Sequence, residues 1–494
     1  MFSIGIVFLA VFLALMTGVG IWGMRKTKTL GDFFLGGRTM GPWVSAIAYG
    51  TSYFSAVIFI GFAGAQGWQF GLNALWIALG NALLGAGLAW VVLARRTRCM
   101  TQNLDAMTMP EFLQERYGAK HLKPVAASII FFFLLPYSAS VFKGLGHLFE
   151  AVFNINYDVA LLIMIGFTGV YLILGGYFAI AVTDFIQGII MFFGAAAMIV
   201  ILTGQGGGLS EMISKVSANY AEHVSVQPSL LTIVSLVFMT SFGTWGLPQM
   251  TQKFYAIKSE KVIPRAAIVT TVFALVIGFS AYMTGAYAHV FFPTEASLVE
   301  NGLKVGGVML YDSIIPTLLT TQFLGVFDVL LALILLLVLS ASMSTLSSLV
   351  LVSSSAIAID LYPSHVDPKT GKSNSVAMMR VLSALFVIVS YFISRFQIGF
   401  IVTLMSLSWG VVSGAFAAPY LLGLYSKRVT KAAAYAGLFS GLICDITLFF
   451  LLGPARSPLS ASISIVLPFA VIPIVSHFTQ APAKIVLERA FKGL

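Results

Sequence analysis

The chain predicts an all-α membrane protein of about thirteen transmembrane helices, built as one domain over residues 1–494. Three observations carry that expectation. Of the 494 residues, 59% are hydrophobic and only 9% are charged. Apolar runs repeatedly exceed the roughly 18 residues that mark a bilayer-crossing helix. Lysine and arginine gather in alternate segments between those runs. The formal net charge of +10 then belongs to topology, since no basic patch interleaved with aromatics is there to hold a nucleic acid.

The first span, Phe2 to Met24, has no basic region before its apolar stretch, is followed by Arg25-Lys-Thr-Lys28, and is too long for a signal core. It reads as a retained helix. Pro42 to Gln66 and Gly71 to Leu93 follow, then Val125 to Phe153, Val159 to Leu174 and Phe178 to Leu202. After a polar loop come Leu230 to Met250, Ala266 to Phe292, Gly325 to Ile359, Val376 to Ser394 and Ile398 to Tyr425. Ala432 to Leu452 and Leu459 to Ser476 close the set. An odd count puts the termini on opposite sides of the membrane.

Orientation follows from the basic residues. With the segment after the first span inside, the inner face collects Arg25, Lys26, Lys28, Arg38, Arg95, Arg96, Arg98, Arg116, Lys120, Lys123, Lys253, Lys258, Lys261, Arg265, Lys369, Lys372, Arg380, Lys427, Arg428, Lys431, Lys484, Arg489 and Lys492. The outer face keeps Lys215, Lys304, Arg395 and Arg456. That bias predicts an external amino terminus and a cytoplasmic carboxyl terminus in the cell membrane.

Enzyme chemistry finds no constellation. Cys99 and Cys444 fall in a cytoplasmic segment and a span, so neither a structural disulfide nor a cysteine metal site is expected. The six histidines are scattered, and there is no His-Glu-x-x-His pair, phosphate-binding glycine loop or nucleophile elbow. A transporter without a nucleotide site has to use an ion gradient.

Secondary transporters place their sites where spans are interrupted. The second span carries Gly50 among a cluster of hydroxyls, Ser45-Ala-Ile-Ala-Tyr-Gly-Thr-Ser-Tyr-Phe-Ser-Ala56. The seventh carries Gly243, Gly246 and Pro248. These open two five-span blocks, 42–202 and 228–425, which enter the membrane with opposite polarity, the pattern of an inverted repeat with two discontinuous helices. Residues 1–41 and 426–494 flank it. In the ninth span, Leu339-Ser-Ala-Ser-Met-Ser-Thr-Leu-Ser-Ser-Leu349 places Ala341, Ser344, Thr345 and Ser348 on one helical face. That face offers neutral oxygens to a hard monovalent cation. Small residues also let helices pack closely, and the stripe alone does not separate the two readings.

Three segments are similar to the sodium/solute symporters: Gly175-Gly-Tyr-Phe-Ala-Ile-Ala-Val-Thr-Asp-Phe-Ile-Gln187, Thr108-Met-Pro-Glu-Phe-Leu-Gln-Glu-Arg-Tyr-Gly118, and the hydroxyl run just described. The resemblance implies the LeuT-type fold, two inverted five-helix repeats with flanking helices. It implies a main sodium site of carbonyls from Thr51, Phe54 and Ala341 with hydroxyls from Ser344 and Thr345, Gly50 loosening the helix around Thr51. It further implies, by likeness to the sialic acid symporters, a second sodium on Asp184, Ser344, Ser347 and Ser348, so the chain would use one or two Na+ ions.

For the solute, the positions between the two breaks are Tyr53, Ser55, Thr240, Thr244, Trp245, Ser406 and Trp409. In the sodium/proline symporters an aspartate, a tryptophan and a tyrosine are thought to match Tyr53, Thr240 and Thr244, a departure that leaves proline open. Lys143, the one basic residue well inside a span, has three readings: an anchor for a carboxylate, a partner of Glu150, or a side chain reaching the headgroups. The expected function is sodium-coupled import of a small organic solute, with an amino acid such as proline or a monocarboxylate preferred. A proton-coupled carrier relying on Asp184, or a sodium/sugar or sialic acid symporter, is the alternative. The partners are sodium, the solute and lipid, and the core needs no second subunit to enclose its pathway.

Overall fold

The computed structural model describes residues 2–26, 34–174, 177–224, 228–323, 328–362, 375–396 and 399–494. The expected span ends Gly325 and Ile398, the motif glycines Gly175 and Gly176, and the charges Lys28, Lys369 and Lys372 lie outside them.

The chain is a bundle of helices. Helix α1 is Phe2–Lys26 and α2 is Pro42–Tyr53. Helix α3 covers 57–70 and α4 covers 75–103, with Gly71 turning between them at φ 54. Then come α5 Met109–Tyr117, α6 Leu122–Phe153, α7 Tyr157–Leu174, α8 Tyr177–Gln205 and α9 Leu209–His223. The second half holds α10 Leu230–Phe242, α11 Pro248–Tyr255, α12 Ile263–Phe291, α13 Ile314–Phe323, α14 Asp328–Ser355, α15 Ser375–Arg395, α16 Ile401–Tyr425, α17 Lys431–Leu452, α18 Ser457–Phe478 and α19 Lys484–Ala490. By length and hydropathy, nine helices among the described residues qualify as membrane spans, or ten when the bent pair Leu230–Gly246 and Pro248–Tyr255 counts as one.

Burial sorts these helices into a core and a rim. The apolar windows of α14 and α16 are 83% and 89% buried, against 22% for α17. A helix that is hydrophobic all round belongs inside, so the hydroxyl run of α14 is enclosed by protein. Helix α14 packs on α8 and α6, and α16 packs on α6. Helix α12 lies along α3 through glycines: a Cβ on Gly285 would stand 1.7 Å from the Ala63 carbonyl oxygen.

The motif beginning at Thr108 is a helix start. Thr108 Oγ1 accepts from the Glu111 N–H at 3.1 Å, and the Glu111 carboxylate accepts from the Met107 N–H at 2.9 Å. This is capping-box logic, and Gly118 closes α5 in the left-handed region at φ 60. The segment expected as a polar loop before α10 contains the helix α9 instead, with Lys215 upon it, while Lys304 sits in a small hairpin pairing Lys304–Val305 with Val308–Met309.

Both interrupted spans are broken, but the first break is not where glycine alone would put it. Gly50 is inside α2, and a Cβ there would lie 2.5 Å from Phe273 Cδ1, so its smallness serves packing against α12. The chain leaves the helix at Phe54, φ −99 and ψ 103. Ser55 then restarts it, its Oγ accepting from the Val57 N–H at 3.1 Å. In the second break, Gly243–Gly246 tightens to a 3-10 turn, Leu247 is extended, and Pro248 opens α11. The residue before proline is driven out of the helical region, and the two pieces meet at 49°.

Candidate functional site

The break after Tyr53 leaves the last carbonyls of α2 without a following helical turn, and α14 lies against them. Ser344 Oγ is 3.1 Å from the Thr51 carbonyl oxygen, and Thr345 Oγ1 is 3.3 Å from the same atom and 3.4 Å from the Ser52 carbonyl. The two hydroxyls also reach back within α14, Ser344 to Ser340 O at 2.9 Å and Ala341 O at 3.1 Å, Thr345 to Ala341 O at 3.1 Å. Each hydroxyl owns one proton and two lone pairs, so two protons face four carbonyls. The cluster has oxygens in excess, no full charge, and complete burial at Thr51, Ala341, Ser344 and Thr345. Such a set suits a dehydrated monovalent cation. Phe54 sits at the break itself, fully buried, with no hydrogen bond tying its carbonyl to the hydroxyl pair.

One turn along α14 the arrangement changes. Asp184 Oδ2 on α8 is 3.1 Å from Lys253 Nζ on α11, and the two side chains are 0% and 1% exposed. The same ammonium donates to Ser348 Oγ at 3.0 Å, and Ser348 Oγ is 3.0 Å from Ser52 Oγ on α2. The Tyr177 ring lies under Nζ at 5.4 Å. Lys253 was assigned by sequence to an inner loop; the structure buries it, because the helix restarts at Pro248 and carries it back under the bundle. Asp184, expected as a sodium ligand or as the group of a proton-coupled carrier, has this ammonium as its partner. Ser347 is not in the cluster: its hydroxyl donates to the Ser344 carbonyl at 2.9 Å.

The positions expected to meet the solute fall into two groups. Tyr53 donates its hydroxyl to the Thr240 carbonyl at 2.6 Å, and Thr240 Oγ1 donates to Asn81 Oδ1 at 2.6 Å. Thr244 Oγ1 donates to Ser241 O at 2.8 Å and lies 3.3 Å from Gly85 O, while the Trp245 indole N–H donates to Leu84 O at 3.2 Å. Thr240, Thr244 and Trp245 fasten the second broken span to α4, and Tyr53 ties α2 to it. Trp409 on α16 has the Tyr137 ring of α6 edge-on at 5.7 Å and the Tyr53 ring at 6.3 Å. The Ser406 and Ser138 hydroxyls and the Trp409 indole N–H are buried without a partner in the chain. Ser55, which caps α3, completes the residues expected there. Unpartnered buried polar atoms occur at many places among the described residues, and these three share the α6–α16 seam.

Residues 33–441 match the model of the sodium:solute symporter family. The chain belongs to that family. This symporter is 30% identical to the osmoregulated proline transporter OpuE of Bacillus subtilis, covering 98% of this chain and 95% of the relative. It is 30% identical to a sodium/proline symporter of Staphylococcus aureus, over 89% of this chain and 85% of that one. Among solved structures, a Na+-coupled sialic acid symporter in a substrate-bound outward-open state is similar at TM-score 0.78 and 18% identity, covering 97% of this chain and 98% of that chain. The shared fold is of the LeuT type. Sodium-coupled symport of a small organic solute is the work of this protein, and it is not an enzyme.

Sequence reasoning about this symporter overlooked two buried partners. Lys143 pairs with Asp312 Oδ2 at 3.0 Å and donates to Gly399 O at 2.6 Å, while Glu150 faces His147 at 3.4 Å. The same Asp312 oxygen accepts from the Ile401 N–H at 3.2 Å, so the pair joins α6 to the start of α16. Asp312 comes just before α13 in what reads as a loop. Lys253 was legible only as a lone basic residue between Gln252 and the aromatics Phe254 and Tyr255.

Proposed function

We propose that this symporter carries one small solute with a carboxylate, of the amino-acid or monocarboxylate class, with sodium bound by the Thr51 and Ala341 carbonyls and the Ser344 and Thr345 hydroxyls, Phe54 closing the site from the break. The observation that carries the reading is the oxygen-rich, uncharged, buried contact between the broken end of α2 and α14. Sodium there joins two helices and restores the balance that two hydroxyl protons leave short. A state with this contact closed is favoured by its differential affinity for sodium, which is coupling in its thermodynamic form.

The solute seat in this reading is the α6–α16 seam beside it, with Ser138, Ser406 and Trp409 offering unpartnered polar atoms and Ser55 at the start of α3. A helix start favours an anion, and the bound sodium adds to that field. Two curated relatives are named for proline, which makes proline the first solute to try, although Tyr53, Thr240 and Thr244 here serve packing. Lys253 already neutralises Asp184, which favours sodium over a titrating carboxylate as the driving ion. The working unit is a monomer in the cell membrane with its amino terminus outside, its repeats spanning 42–202 and 228–425.

The test is thermal stability of the purified protein with amino acids, carboxylates and sugars, each in sodium and in potassium chloride at equal ionic strength. A ligand of the folded state raises stability by mass action. The reading expects one solute whose shift needs sodium; a solute shift of equal size in potassium would overturn it.

A further inference from the structure

The Asp184 cluster has the make-up of a second cation site with the cation built in. Three elements supply anionic or neutral oxygens around one point: Asp184 Oδ2 from α8, Ser348 Oγ from α14 and, through Ser348, Ser52 Oγ from α2. The positive charge at that point is Lys253 Nζ, within 3.1 Å of the first and 3.0 Å of the second. A carboxylate buried this deeply is held charged only by a partner of opposite sign, and an ammonium and a sodium ion compete for that one role. Ammonium donates hydrogen bonds to the oxygens that sodium would coordinate, so the two cannot share the point.

We infer that Lys253 is a resident cation standing in the place of a second sodium ion, so that this symporter binds one sodium and not two. This rests on the sodium site proposed above. Lys253 is a positioning residue. Carried on α11, it ties the second broken span to α8 and α14, and through Ser348 it holds Ser52 beside the Thr51 carbonyl. Two of the contacts that a second sodium would have to form on each cycle are thereby permanent. With Asp184 and Lys253 cancelling, the one sodium adds a single net charge to the core.

The experiment counts ions directly. Purified protein is titrated with 22Na+ alone, without solute, and binding is read as ions per protein and as a Hill coefficient. Wild type is expected to hold one sodium with a coefficient of one. Lys253→Met, with Asp184 kept, is expected to hold two with a coefficient above one, and Lys253→Met with Asp184→Asn to return to one. Lys253→Arg, which keeps the charge, is expected to match wild type, a result that loss of packing alone would not give.

Two ions on the wild type would overturn the inference whether or not the variants fold. A folded Lys253→Met that still binds one would overturn it as well. No saturable binding to the wild type would overturn the sodium site itself and the count with it. A count of two leaves the sodium site standing, so the two failures are distinguishable.

Discussion

Ser344 and Thr345 show how little chemistry the proposed sodium site would need. Neither side chain carries charge, and each is committed to carbonyls in two helices at once. Interactions of a neutral group with a charge contribute about 1.5–3 kcal/mol. Thr345→Ala is therefore expected to raise the half-saturating sodium concentration on the order of tenfold to a hundredfold, while Thr345→Ser stays near wild type. Sodium titration of solute uptake into proteoliposomes checks this, and an unchanged value would remove Thr345 from the site. Lys143 and Asp312 answer to a different rule. They are 5% and 7% exposed and paired at 3.0 Å, and removing one partner of a buried pair costs about 3–5 kcal/mol. Asp312→Ala should lower thermal stability sharply. The double variant Lys143→Met, Asp312→Leu should recover part of that loss, and a double variant no better than the sum of the singles would show that the pair does not act as a unit.

Helices in this bundle meet through absences of side chain as much as through contacts. Gly67 and Gly285 face each other where α3 crosses α12, a Cβ on Gly67 standing 2.4 Å from the Gly285 carbonyl carbon. Overpacking a site of this kind costs about 1–3 kcal/mol. Gly285→Ala is expected to push α12 off α3 and to reduce transport together with stability; Gly278→Ala, further along the same helix and 3.3 Å from the Ala78 Cβ, should be milder. Comparing their unfolding midpoints decides whether closeness at α3 matters or glycine in α12 generally. The two breaks show the same economy. Pro248 forces one by geometry. The other rests on Ser55, which gives a new helix its cap where Phe54 turns away.

Across the whole molecule, basic residues expected on the inner face also tie helices together. The Arg38 guanidinium donates to Thr101 Oγ1 at 3.1 Å, to Tyr255 O at 3.1 Å and to Ala106 O at 3.0 Å, locking the end of α11 to the end of α4. Arg116 donates to Gly423 O at 2.8 Å and Ser426 O at 2.7 Å at the end of α16. Sodium at the proposed site would act on this same global equilibrium, because only the folded protein brings α2 to α14. At about ten times its dissociation constant one bound ion should add about 1.4 kcal/mol of stability, with potassium adding none. A thermal melt that moves equally in both salts would mean that no site selects sodium.

Composition, span lengths and the distribution of basic residues were enough to read an all-α membrane protein with two interrupted spans, because a bilayer leaves the backbone so few solutions. The hydroxyl face of α14 was legible for a related reason: four residues at helical spacing share a side whatever surrounds them. What lay beyond sequence were the meetings between distant helices. Nothing in the local pattern shows that Lys253 turns inward to Asp184, residues far apart in the chain, or that the Tyr53 hydroxyl reaches the Thr240 carbonyl. Nor could Gly50 be told apart as a packing residue from a helix breaker, since both uses want the same missing side chain. Sequence determined which segments cross and what each could offer; only the tertiary structure decided which offers meet, because a buried charge chooses its partner by distance and exclusion from water, and neither is a property of a segment on its own.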